Sequence, residues 1–205
     1  WYNKGIVLNR LGLLDQALDS YDMALAIKEN FPAAYYNKGN VFALQGKLNE
    51  AIECYKQTLH YEPKDVPAMH NLGNAYEDQE NYAEAIKCFT QAIKLDNTHY
   101  ESFFGRGSCY DAMEQYRKAL TDYNRAIELF REYPELWYAK ADAEFNLGKF
   151  KDCLLSYKMV VQLDPNNYEA WFDYGDTLSY MGFATEALKA LHRSVELNPL
   201  FADAH

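Results

Sequence analysis

Four cysteines, Cys54, Cys88, Cys109 and Cys153, contain no CxxC pair. That spacing excludes ribbon-type zinc sites and the dithiol redox motif, and it places no demand on an oxidising compartment. No uninterrupted apolar stretch approaches the roughly 18 residues a spanning helix requires. Cations are also scarce: 20 Lys and Arg face 30 Asp and Glu, for a net charge of -10. An acidic excess spread along the whole chain argues against nucleic acid, whose binding depends on neutralising phosphates, and against anionic membrane surfaces. The five histidines form no HExxH, and no GxSxG, phosphate loop or dinucleotide fingerprint is present. GRGSC at 105–109 lacks both a preceding strand and a following lysine at phosphate-loop spacing. Cofactors are therefore expected to be none, and the chain is not read as an enzyme. The opening on Trp1 rather than Met points to a piece of something longer, so a missing signal peptide says little. The compartment is left open, with the cytoplasm favoured.

Aromatic residues, by contrast, are plentiful, with 18 Tyr and 11 Phe, and they recur in register. From Met69 to Asn97, the small and bulky residues Leu72, Gly73, Tyr76, Tyr82, Ala85, Phe89 and Ala92 return every 34 residues. Gly73 corresponds to Gly5, Gly39, Gly107 and Gly175, with Ala141 as the exception. Ala85 corresponds to Ala17, Ala51, Ala119, Cys153 and Ala187. Phe89 corresponds to Tyr21, Tyr55, Tyr123, Tyr157 and Leu191. A period of this length marks a repeat array in which each unit buries its apolar face against its neighbours. Six copies follow, at 1–34, 35–68, 69–102, 103–136, 137–170 and 171–204, with no linker, so 1–205 reads as a single array. His205 falls at the first position of a seventh.

Each copy reads as two antiparallel helices. Three- and four-residue spacing of Leu18, Tyr21 and Leu25 gives the second helix of the first copy. Asp15 and Asn49 are expected at the starts of second helices. Pro32 fits an opening turn, where a missing donor costs little, and Pro63, Pro165 and Pro199 close second helices. Gly12, Gly46, Gly148 and Gly182 suit the tight turn between helices, but Glu80 and Glu114 stand at that place in the third and fourth copies. In the fifth, Glu144 replaces a usually bulky apolar residue.

The order W…L-G…Y…A…F…A…P with a 34-residue period resembles the tetratricopeptide repeat, and the resemblance covers essentially the whole chain. It implies an all-α fold, a right-handed superhelical solenoid of antiparallel helix pairs, and a concave groove lined by the first helices. Members of the family usually bind peptides or extended protein segments there, so a protein-interaction scaffold is expected. The alternatives are a substrate-recognition region of a larger enzyme such as a glycosyltransferase, and a self-assembling module.

The resemblance also assigns groove-facing columns. One reads Asn3, Asn37, Asn71, Gly105, Ala139, Asp173; a second reads Ile6, Asn40, Asn74, Ser108, Asp142, Asp176. A third is aromatic: Tyr2, Tyr36, His70, Phe104, Tyr138, Phe172. Side-chain amides carry both donor and acceptor, so they suit the backbone of an extended peptide. The first half resembles the asparagine ladder of O-linked N-acetylglucosamine transferase. The second half turns acidic, with Asp142, Asp173 and Asp176 behind Glu101, Glu135 and Glu169, and so favours a basic peptide. The family's two-carboxylate clamp is not matched: Asn40 and Asn71 fit its amides, but Tyr36, Glu101 and Gly105 occupy its cationic positions. Trp1 and the 201–205 tail are expected to expose apolar surface and to favour end-to-end self-association.

Overall fold

The computed structural model describes residues 1–201; the tail beyond Phe201, with the seventh copy expected at His205, lies outside the described residues. Those residues form twelve α-helices and no strand. They divide into two compact units, Trp1–Cys109 and the segment from Tyr110 onward. The first holds α1 (Tyr2–Arg10), α2 (Leu14–Ile27), α3 (Pro32–Leu44), α4 (Leu48–Tyr61), α5 (Val66–Glu77) and α6 (Tyr82–Leu95). The boundary falls within α7 (Tyr100–Ala112). The second unit holds α8 (Tyr116–Leu129), α9 (Pro134–Asn146), α10 (Phe150–Leu163), α11 (Tyr168–Tyr180) and α12 (Ala184–Leu197).

Within each unit, odd- and even-numbered helices pair as the periodic small residues require. A Cβ built on Gly73 would stand 2.7 Å from the Phe89 ring, and one on Gly39 2.8 Å from the Tyr55 ring. The glycine is needed because the ring lies directly against the helix backbone. Phe89 is completely buried, and its far side meets Gly105, where a Cβ would stand 2.6 Å away. One ring thus holds α5, α6 and α7 together. In the second unit, Ala141, Cys153 and Tyr157 form the corresponding centre. All four cysteines are buried and free, as small apolar residues.

The turn glycines behave as expected, with φ between +70° and +84° at Gly12, Gly46, Gly148 and Gly182. Glu80 and Glu114 adopt the same left-handed conformation, at φ 58° and 57°. The expected caps are corrected. α2 begins at Leu14 and α4 at Leu48, so Asp15 and Asn49 lie inside the first turn rather than before it. The tight turn delivers the chain into the helix early. Side-chain caps come instead from Asp65, Asn81 and Asn167, and Pro32, Pro67 and Pro134 open their helices.

Candidate functional site

In the first unit, α1, α3 and α5 lie side by side, linked by hydrogen bonds between successive repeats. The Asn37 amide nitrogen donates to the Tyr2 hydroxyl at 3.0 Å and to the Ala33 carbonyl at 2.8 Å. One repeat on, the Asn71 amide nitrogen donates to the Tyr36 hydroxyl at 3.1 Å and to Asn40 Oδ1 at 2.9 Å. The aromatic and asparagine columns therefore form a ladder here, with Tyr2 and Tyr36 each bonded to the amide of the next repeat. Tyr55, from the second helix of its pair, donates its hydroxyl to the same Asn40 Oδ1 at 2.8 Å.

This arrangement decides what each amide can still offer. Asn40 Oδ1 accepts twice, which leaves its Nδ2 as a donor, whereas Asn71 has used its Nδ2 and keeps Oδ1 as an acceptor. Asn74 contacts His70 Nε2 at 3.1 Å. Asn40, Asn71 and Asn74 line an open cavity of about 410 Å³ with Ala43, Leu44, Tyr55, Ala75 and Asp78. Asn3 is exposed at the edge of the face. His70 lies 5.5 Å from the Phe89 ring centre and within 3.2 Å of Ser102 Oγ, which also meets His99. Burial, and then His99, lower its imidazole to about 4, so it is neutral at pH 7. Phe104, half-buried on α7, belongs to the same unit.

The second unit repeats the ladder with carboxylates. Tyr138 donates to Asp173, where Tyr36 accepts from Asn71, and Tyr157 donates to Asp142 as Tyr55 does to Asn40. Burial raises the Asp142 carboxyl to about 6, against the lowering effect of the Tyr157 hydroxyl, and Asp173 and Asp111 add to the rise. Asp173 is raised by burial too, again opposed by its tyrosine, with Asp176 and Glu169 contributing. Asp176 is exposed, and Phe172 meets Phe201 edge-on at 5.3 Å.

Four contributors to these faces were not singled out from the sequence. Tyr55 and Tyr157 read as core, but their hydroxyls anchor the polar columns. The available signal was a tyrosine, rather than phenylalanine, in four of six copies of that position. Glu77 and Asp111 also sit half-buried at one shared repeat position, both raised by burial and opposed by hydrogen bonds from Ser108 and Tyr123. Among the described residues no helix is long and apolar enough to cross a membrane.

Tetratricopeptide-repeat profiles match residues 65–132, residues 5–46 and 39–79, and residues 134–177. No curated protein sequence matches the chain. Similar folds are found in solved structures. YrrB, described as a tetratricopeptide-repeat protein with an unusual peptide-binding site, shares 24% identity at a TM-score of 0.75, over 91% of this chain and 96% of its own. MamA shares 23% identity at a TM-score of 0.75, over 82% and 92%. PilF of Pseudomonas aeruginosa shares 18% at a TM-score of 0.85, over 99% and 92%. With the helix pairs, glycine crossings and repeat profiles in agreement, the chain belongs to the tetratricopeptide-repeat family.

Proposed function

We propose that the chain is an interaction scaffold whose odd-numbered helices bind an extended peptide on the Asn face of the first unit. The observation that carries this is the complementary pair at the 410 Å³ cavity: a donor left on Asn40 and an acceptor left on Asn71. A peptide unit in extended conformation offers the matching carbonyl and N–H, and the ladder holds both amides in place before the ligand arrives. On the second unit, Asp142, Asp173 and Asp176 favour Lys or Arg side chains, because a cation would relieve the cost of ionising the half-buried Asp142 and Asp173. The reading of six copies in one array over 1–205 rests on the unbroken 34-residue register.

The discriminating variant is Asn40→Asp. It keeps the oxygen that accepts from Tyr55 and Asn71, as Asp142 does for Tyr157, but removes the free donor. In a peptide-array screen followed by calorimetry, Asn40→Asp should weaken the selected peptides about tenfold with an unchanged unfolding midpoint. Asp176→Asn should selectively weaken basic peptides and reduce their salt sensitivity. Equal binding by all three proteins would reject the site.

A second reading, self-association, is favoured by apolar side chains exposed at the two ends of α1 and on α12, notably Trp1, Leu11 and Leu188. Light scattering that stays monomeric at high concentration would reject it.

A further inference from the structure

Glu144 stands where the other five repeats carry Leu8, Phe42, Tyr76, Tyr110 and Leu178. It is buried on α9, accepts from Ser156 Oγ at 2.6 Å and lies 3.7 Å from Lys140 Nζ. Beside it a cavity of about 810 Å³ opens between α8, α9 and α10, lined by Arg117, Arg131, Lys140, Lys149 and Lys158 against only two acids, Glu144 and Asp152. Five cations converge there in a chain of net charge -10.

The cavity lies on the far side of α9 from Tyr138 and Asp142, since Trp137, Lys140 and Glu144 recur at three- and four-residue spacing on another helix face. Trp137 is flanked by Arg131, its guanidinium 5.8 Å from the ring centre, and by Lys140 at 5.3 Å. In the second repeat the residue equivalent to Lys140 is Lys38, which pairs with Asp22 of the preceding helix. Here the residue equivalent to Asp22 is Asn124, which lines the cavity without supplying a charge.

We infer that this cavity binds an acidic peptide segment carrying one large apolar side chain, independently of the odd-helix face. Lys149 caps α10 and Lys158 lies nine residues on, about 13 Å apart at 1.5 Å per residue. One small anion cannot reach both, whereas carboxylates spaced along a peptide can. Part of the remaining wall is apolar: Leu120, Trp137, Met159 and Leu155, the last 65% exposed, offer a seat for the anchoring side chain.

The test is fluorescence anisotropy with a labelled peptide of glutamates flanking a central leucine, beside a counterpart with glutamine at every glutamate. The acidic peptide should bind with strong salt dependence and alter Trp137 emission. The double variant Lys149→Glu/Lys158→Glu should bind at least tenfold more weakly, and Asn40→Asp should bind like the parent. Equal binding of the glutamine peptide, indifference to charge reversal, or no binding of either peptide would overturn the inference. So would full displacement by millimolar inorganic phosphate, which would mark a single-anion site. A charge-reversal effect on light-scattering mass without one on peptide binding would make the occupant a second copy, and would equally overturn it.

Discussion

Tyr21, Tyr55 and Tyr157 occupy one repeat position, but their hydroxyls differ in what they meet. Tyr55 donates to Asn40 and Tyr157 to Asp142, while Tyr21 faces the column where Ile6 stands, and its buried hydroxyl has no partner. Burial raises that phenol to about 12. Leaving a buried donor unpaired costs more than omitting it. Tyr21→Phe should therefore be neutral or stabilising by up to about 1 kcal/mol, and Tyr55→Phe destabilising by about 1–2 kcal/mol, because it leaves part of the Asn40 oxygen's bonding unmet. Denaturant unfolding of the two variants checks the sign; equal losses would contradict the assignment. The Asp142 pair invites a second substitution. Asp142→Asn reproduces the Tyr55–Asn40 pair of the first unit without a charge to desolvate, and should raise stability at pH 7 by about 1–3 kcal/mol.

At the scale of helices and turns, the glycine crossings set the spacing. Gly73→Ala would ordinarily favour a helix, but its methyl would stand 2.7 Å from a Phe89 ring that Gly105 confines on the other side. The clash should win, at a net cost of about 1–3 kcal/mol. Phe89→Leu in the same protein should recover part of the loss, since the last repeat already uses Leu191 against Gly175. A double variant no better than the single would refute the crossing as the cause. The turns run the other way. Glu80 and Glu114 hold left-handed backbone that a side chain disfavours, and Glu80→Gly should raise the thermal midpoint, worth about 1 kcal/mol.

Over the whole molecule, the two ladders respond oppositely to acid. The His70 imidazole, at about 4 when folded against roughly 6.5 in the unfolded chain, lets the unfolded state bind more protons between those values. Its contribution is complete above about 6.5 and is lost as the pH falls toward 4. Asp142, raised from 3.8 to about 6, makes the folded state bind more protons in that window, so its contribution grows as the pH falls from 6 to 4. Unfolding midpoints across pH 7 to 4 should therefore separate the two. Relative to the parent, His70→Phe should fare better in acid, and Asp142→Asn should lose the gain on acidification. Parallel curves for parent and variants would rule out both groups as the source.

The repeat, its helix pairs and the small residues at their crossings could be read directly from the sequence, because steric fit imposes the same residue at the same interval in every copy. The left-handed turns were equally visible wherever a glycine marked them. The columns on the odd-numbered helices could be aligned in the same way, but not which atoms they leave for a ligand. That depends on hydrogen bonds between residues 15, 31 and 35 apart, which fix Asn40 as a donor and Asn71 as an acceptor. The basic cavity shows the same limit. Its cations are scattered from Arg117 to Lys158, and only the packing of α8, α9 and α10 around a glutamate in an apolar position gathers them. Periodicity records what every repeat must share to stack; the chemistry arises where one repeat departs from the others, and it takes the folded neighbours to show what fills the difference.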